Sequence, residues 1–384
     1  MEAFIQRLRQ VTESPELVAL QTTLSYSFVG LVVGIVAFVF VQPPGPLITR
    51  FAGAFIEGFS VMSAVLVVLL TIDLARRRDV PIALALPVSL ATFALLLPLR
   101  QTASLAAFTH ALGSSGLFLA MGAALGTVTA LRLARRRFGA PGGVLVSLIL
   151  VGTAVVLAVA GVSLSARLNA MIAPLGHLGD SLTALLFITL VQQLLWLVGI
   201  HGAALLAPVI LPVYLTLQSE NTTALARGEP LPHIVVTSFF LFITPGGSGG
   251  TLPLVVLLLR SRVQRLRTVA YASFVPALFN ANEPVTFGLP IVLNPILAVP
   301  FVAVPLILSV TTYVAMSWGW VARPAVYLFS WIPQPLAVIL ATKDWRAEVL
   351  VVANIVLAFL LYAPFVRRYE HQEAKRAAAT SEAS

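Results

Sequence analysis

"FNANEPVTFGLP", residues 279–290, holds a carboxylate, Glu283, between two asparagines and a proline. The surrounding chain is 59% hydrophobic and only 10% charged, with a mean hydropathy of +0.96. A soluble domain usually carries about 25% charged residues. This composition belongs to a polytopic membrane protein, and 384 residues leave room for roughly ten spans of about 20 residues each. A carboxylate at the centre of a membrane helix costs about 2.5–3.5 kcal/mol on insertion scales. Pro276, Pro284, Pro290, Pro295 and Pro300 punctuate the same region, and each removes a backbone donor. Broken backbone at membrane depth persists only where protein or a water-filled cavity satisfies it. Residues 274–300 are therefore expected to form a re-entrant hairpin whose charged group faces a polar cavity.

A second segment, "HGAALLAPVILPVYL" (201–215), has the same character. His201 stands seven residues before Pro208, as Glu283 stands seven before Pro290, and the runs "PVILPVYL" and "PIVLNPIL" are alike. This is the pattern of a weak internal repeat, two hairpins each carrying one ionisable group. Paired interrupted segments point to a transporter's binding site. The alternative is coincidence in a chain with 25 prolines.

Plausible spans lie near 20–41, 52–73, 80–98, 105–131, 143–163, 180–200, 234–259, 296–317 and 347–366, with a shorter one near 323–341. The fold class is all-α and polytopic, with about ten transmembrane helices and two re-entrant hairpins in the C-terminal half. Residues 1–178 are expected to form a scaffold and dimerisation domain. Residues 179–366 are expected to form a substrate-binding transport domain, with hairpins near 201–230 and 274–296, and 367–384 a solvated cytoplasmic tail. Met1, Phe4, Ile5, Leu8 and Val11 recur at helical spacing, which fits an amphipathic helix lying on the inner membrane surface. The net charge of +9 is concentrated at the ends of apolar runs: Arg76–Arg78, Arg132 with Arg135–Arg137, Arg260 to Arg267, and Arg367 with Arg368. That is the positive-inside pattern rather than a nucleic-acid-binding face. It places both termini in the cytoplasm. Simple alternation after residue 163, however, does not bring the basic 260–267 loop inside.

Several residues suit small-molecule chemistry. Asn280, Asn282 and Asn294 supply amides around Glu283, and carboxylates with amides exchange directional hydrogen bonds with sugar hydroxyls. Glu283 also has two plainer readings, a structural carboxylate or a proton carrier. His201, after "LLWLVGI", can donate, accept or move a proton near neutral pH; taken alone, it is as readily a satisfied core histidine. "TPGGSGGTLPL" (244–254), with Gly247 and Ser248 at its centre, lets backbone approach a ligand or another helix. It lacks the lysine and spacing of a phosphate-binding loop. Trp331 in "SWIPQPL" offers a face for a sugar ring or a belt position at the interface. There is no cysteine and no paired histidine motif among the five histidines, so no metal or other cofactor is expected.

Together, "WLVGIHG", "GGSGGTLPL", "FNANEPVTFGLPIVLNPILAVPF", "WIPQP" and "ATKDWRAEVLVVANIVLAFLLYAPFVRRYE" resemble enzyme IIC of the bacterial sugar phosphotransferase system, in its lactose/cellobiose/diacetylchitobiose branch. The resemblance covers most of residues 180–370. It implies ten spans, two opposed re-entrant hairpins and a homodimer in the bacterial inner membrane. It also implies uptake of a β-linked disaccharide, phosphorylated on entry by a separate cytoplasmic IIB protein that carries phosphocysteine. Family binding residues fall on His201 and Glu283, and a substrate-stacking tryptophan on Trp331. Either His201 or Glu283 would orient or deprotonate the reacting hydroxyl. The sequence departs from the family pattern at Ala281 and Thr286, where isoleucine is usual, and at Lys343, where glycine is usual. Competing readings are a transporter on the same scaffold that works without phosphorylation, and a sugar-binding membrane sensor.

Overall fold

The structure is a computed structural model that describes residues 14–41, 47–97, 114–162, 164, 167, 174, 178–289, 291 and 294–382. The expected amphipathic start at residues 1–11 lies outside them. The described chain is all-α: α1 (Pro15–Val41), α2 (Leu47–Arg77), α3 (Ile82–Leu96), α4 (Ser114–Val159), α5 (Leu182–Leu197), α6 (Gly202–Arg227), α7 (Leu252–Leu258), α8 (Gln264–Leu278), α9 (Glu283–Gly288), α10 (Pro295–Ser317), α11 (Gln334–Thr342) and α12 (Arg346–Glu382). A 3₁₀ turn occupies Thr237–Phe242. Among the described residues, four helices are long and apolar enough to cross a membrane: Gly116–Val159, Gly202–Arg227, Pro295–Ser317 and Arg346–Arg376. The protein is thus a multi-span membrane protein.

The chain divides into two compact units, Met1–His177 with Ala204–Glu229, and Leu178–Ala203 with Pro230–Ser384. In the first, α2 packs against α1, α3 and α4, and α3 also packs against α4. Its centre is apolar, with Phe55, Met62, Leu66, Leu70, Leu117 and Leu131 fully buried. The 46-residue α4 would be about 69 Å long if straight, more than twice the ~30 Å hydrocarbon thickness. Gly139, at φ 67 and ψ −157, breaks it into two arms. The Arg135–Arg137 cluster sits at the break, where a charged turn belongs.

In the second unit, α10 packs against α5 and α12, and α7 against α8 and α12. Residues 234–262 run alongside α12 in the same direction. Asn354 donates to the Phe242 carbonyl, Tyr362 to the Gly249 carbonyl, and Glu370 accepts from Ser261 and the Arg262 N–H. The segment's start is fixed by Asp180, which accepts from the N–H groups of Ile234 and Val235 at 2.8 and 2.7 Å.

Three expectations need correction. Residues 201–230 do not form a hairpin of broken helix: Gly202–Arg227 is one α-helix with Pro208 and Pro212 inside it. An interior proline costs about 3 kcal/mol, but a membrane helix tolerates it where neighbouring groups answer the freed backbone; the carbonyls freed here are those of Ala204 and Pro208, four residues before each proline. The span expected at 234–259 is not a continuous helix, because Pro245 and the following glycines interrupt it. The last span does not end near 366 in a separate tail; α12 continues to Glu382, and Glu370 and Glu373 on the continuation hold Ser261 and Arg265. By contrast, the break across 279–294 is present, between α8, the short α9 and α10.

Candidate functional site

The "GGSGG" loop needs its glycines. Gly247 has φ +93, and a methyl group there would lie 2.6 Å from the Asn280 carbonyl oxygen and 3.1 Å from the Asn282 side chain. Gly249 has φ +80, and a methyl group would lie 2.3 Å from the Phe301 ring. The loop is closed by its own bonds, Gly247 N–H to the Thr244 carbonyl at 2.9 Å and Gly250 N–H to the Gly247 carbonyl at 3.0 Å. Thr251, fully buried, donates to the Gly246 carbonyl at 2.8 Å. The N–H groups of Ser248 and Gly249 donate to no other described residue.

The two asparagines of "NANEP" stitch this loop to the α8–α9 turn. Asn280 sits at φ 61, a left-handed conformation that asparagine tolerates better than most residues. Its Oδ1 accepts from the Gly246 N–H at 3.0 Å, and its Nδ2 donates to the Ser330 carbonyl, next to Trp331. Asn282 is buried at the start of α9, and its Nδ2 donates to the Ser248 carbonyl at 2.9 Å. Asn294 caps α10, accepting from Ile296 and Leu297 N–H at 3.0 and 3.2 Å. The sequence offered these amides as ligand contacts; Asn280 and Asn282 also join the three proline- and glycine-broken segments.

His201 is placed by a helix stop. After α5, the Gly199 N–H bonds the Trp196 carbonyl at 3.0 Å and the Ile200 N–H bonds the Leu195 carbonyl at 2.9 Å, with Gly199 at φ 81. This is the Schellman pattern, which favours glycine at the left-handed position. It folds the chain back so that the His201 ring lies 4.5 Å from the buried Trp196 ring. Gly202 then passes so near α5 that a methyl group would lie 2.2 Å from the Gln192 carbonyl oxygen. Trp196 also meets Phe287, on α9, at 6.3 Å. Phe287 stands four residues after Glu283, so both are on one side of α9. Glu283 and His201 are exposed, as is Trp331, which stacks on Phe329 with ring centroids 5.7 Å apart and planes 10° apart.

The structure thus brings Asn280, Asn282, Gly247 and Ser248 together directly, ties Ser330 beside Trp331 to them, and links His201 to the helix of Glu283 through Trp196 and Phe287. Sequence reasoning missed Trp196, Asn354 and Tyr362. Trp196 precedes the "GIHG" turn by three residues and reads locally as core; its Nε1 is buried without a hydrogen-bond partner among the described residues, as is the hydroxyl of Thr286. Asn354 and Tyr362 sit on an apolar helix and contact segments more than 100 residues away. Among the described residues, no group of three metal-ligating side chains occurs.

The family model "Phosphotransferase system, EIIC" matches residues 26–305, most of the chain. The chain belongs to that family. It is 42% identical over 204 residues to the permease IIC component YwbA of Bacillus subtilis, covering 52% of this chain and 46% of that protein. It is 39% identical over 206 residues to the lichenan permease IIC component of the same organism, covering 53% and 46%. It is 36% identical over 207 residues to the cellobiose-specific EIIC component of Geobacillus stearothermophilus, covering 52% and 46%. The matched regions span about half the length of these curated relatives. A crystal structure of the transporter ChbC, the IIC component from the N,N'-diacetylchitobiose-specific phosphotransferase system, matches with a TM-score of 0.85 and 27% identity over 97% of both chains. Within the EIIC family, the chain is therefore similar to members of the lactose/cellobiose/diacetylchitobiose branch.

Proposed function

We propose that this EIIC chain is the sugar permease of a phosphoenolpyruvate-dependent phosphotransferase system. It takes up a β-linked disaccharide such as cellobiose or diacetylchitobiose, phosphorylated by a separate cytoplasmic IIB protein. The observation that carries this reading is the convergence of the "NANEP" turn, the glycine loop and the "SWIPQP" turn through Asn280 and Asn282. A carboxylate (Glu283), an imidazole (His201), two loop N–H groups that donate to no described residue (Ser248 and Gly249) and an aromatic face (Trp331) match the mixed polar and apolar surface of a sugar. In this reading Asn280, Asn282, Gly247 and Ser248 shape the site, while Glu283, His201 and Trp331 touch the sugar. Phosphoryl transfer breaks the S–P bond of the donor phosphocysteine and forms an O–P bond to a sugar hydroxyl. The hydroxyl proton passes to Glu283 or His201. Fixing that hydroxyl is the permease's contribution. The names of relatives extend from cellobiose and lichenan to oligo-β-mannoside, which supports the class of sugar rather than one member.

The depth of the loop supports coupling to a cytoplasmic donor. α12 starts beside Trp345 and carries Arg367 and Arg368 toward its other end. The positive-inside rule puts the arginine end in the cytoplasm. Tyr362, which holds Gly249, lies five residues before Arg367, about 7.5 Å along the axis. Counting α6 as a crossing, and 234–262 as a broken one, gives ten crossings. Two re-entrant segments remain, 274–294 and 323–342, and the basic 260–267 loop comes inside. Both termini are then cytoplasmic, and the protein sits as a homodimer in the inner membrane.

The test is binding of cellobiose, diacetylchitobiose, lactose and glucose to the purified protein and to Glu283→Ala. Saturable disaccharide binding, weakened at least tenfold in the variant, is the expected result. Binding of none of the four, or binding indifferent to the substitution, refutes the reading.

A further inference from the structure

Three polar side chains on α12 stand eight residues apart, about 12 Å each along the axis: Asn354, Tyr362 and Glu370. Each holds a different point of the segment that carries the glycine loop. Asn354 donates to the Phe242 carbonyl at 3.1 Å and to Thr312 at 2.9 Å, and accepts from Thr311 at 3.0 Å. Tyr362, fully buried, donates to the Gly249 carbonyl at 2.7 Å. Glu370 accepts from the Ser261 hydroxyl at 2.8 Å and the Arg262 N–H at 2.7 Å. The loop between the first two attachments has no regular helix. Its shape rests on turn bonds, on the asparagine stitches and on the Asn354 and Tyr362 attachments at its two ends.

We propose that α12 is a rail that sets the position of the 246–250 loop, with Tyr362 as the positioning residue. Tyr362 acts through Gly249 rather than by touching a ligand. Its ring fills a buried slot and its hydroxyl gives the Gly249 carbonyl its partner. That fixes the neighbouring Ser248 carbonyl against Asn282, and so fixes the loop relative to Glu283 one residue further on. Glu370 makes the same attachment outside the apolar span, joining the basic 260–267 turn to the same helix. The consequence for sugar recognition rests on the permease reading; the rail itself does not.

The chain has no cysteine, so one introduced thiol reports loop exposure cleanly. Maleimide labelling of Ser248→Cys is compared with and without Tyr362→Phe, alongside Ser317→Cys on an exposed helix end as the control. The rail predicts about tenfold faster labelling at position 248 in the phenylalanine background, the scale of one lost buried hydrogen bond, with no change at 317. Equal rates at 248, or equal acceleration at both positions, overturns the proposal. Disaccharide affinity of the folded fraction of Tyr362→Phe, with native Ser248, should fall by about the same factor. Faster labelling without disaccharide binding even by the parent protein would sink the permease reading and leave the rail standing. If Tyr362→Phe does not fold, Glu370→Gln replaces it, with about twofold faster labelling expected at 248; an unchanged rate there overturns the rail.

Discussion

Gly247→Ala tests how closely the glycine loop is built around the "NANEP" turn. Two costs add. Alanine at a left-handed φ costs about 1–2 kcal/mol. The new methyl group also meets the Asn280 carbonyl oxygen at 2.6 Å and the Asn282 Cβ and Cγ at 3.1 Å. The carbonyl is backbone, and Asn282 is held by its bond to Ser248, so neither moves freely. Overpacking of this kind costs about 1–3 kcal/mol more. Gly228 is the control: its φ is +70 and a methyl group there meets nothing within 4 Å. Gly228→Ala therefore carries the conformational cost alone. Thermal unfolding of the two variants in detergent should differ by the steric part, roughly 2–12 °C for a unit of this size. Disaccharide affinity should drop at least tenfold in Gly247→Ala and stay at the parental value in Gly228→Ala. Equal losses of stability in both, with sugar binding intact in Gly247→Ala, would refute the reasoning.

Two further predictions concern the turn before α12. Lys343 has φ 57 at the C-terminus of α11, a left-handed position that favours glycine; Lys343→Gly should stabilise the protein by about 1 kcal/mol, read as a raised unfolding midpoint. Burial alone would raise the pKa of Asp344, but the Arg346 side chain and the N–H groups of Ala322 and Arg346 outweigh it and hold the carboxyl below its usual range. A depressed carboxylate contributes stability above its unfolded value, about 3.9, and loses it as the pH falls toward the folded value. Acid unfolding curves of Asp344→Asn should therefore be lower near neutrality and flatter below about pH 4.

The break at 279–294 was legible because Pro284, Pro290 and Pro295 stand close together beside asparagines, which favour turns and helix caps over helix interiors. The same logic failed at 201–215. There Pro208 and Pro212 are four residues apart, one turn of one helix, and the chain bends its bonding without leaving the helix. Hydropathy misled at 234–259, since an apolar average does not register Pro245 and four glycines at positive φ. His201 and Glu283 stood out as ionisable groups in apolar sequence. The amides of Asn280 and Asn282 were found, but their part in joining the broken segments was not, because their partners are backbone carbonyls and N–H groups 34 to 50 residues away. Tyr362 and Glu370 were invisible for the same reason. A buried hydroxyl in an apolar helix looks like any other aromatic until its distant partner is known, and the polar continuation of α12 looks like a tail until Ser261, Arg262 and Arg265 are seen against it.

The most direct test of the account is the chemical form in which sugar arrives. Right-side-out vesicles carrying this chain as their only disaccharide permease would be loaded with phosphoenolpyruvate and the soluble phosphotransferase proteins of the source cell, then given labelled cellobiose or diacetylchitobiose outside. The account predicts that label accumulates inside as the sugar phosphate, only when phosphoenolpyruvate is present, and far more slowly with Glu283→Ala. Free, unmodified sugar equilibrating across the membrane at the same rate with or without phosphoenolpyruvate would contradict it.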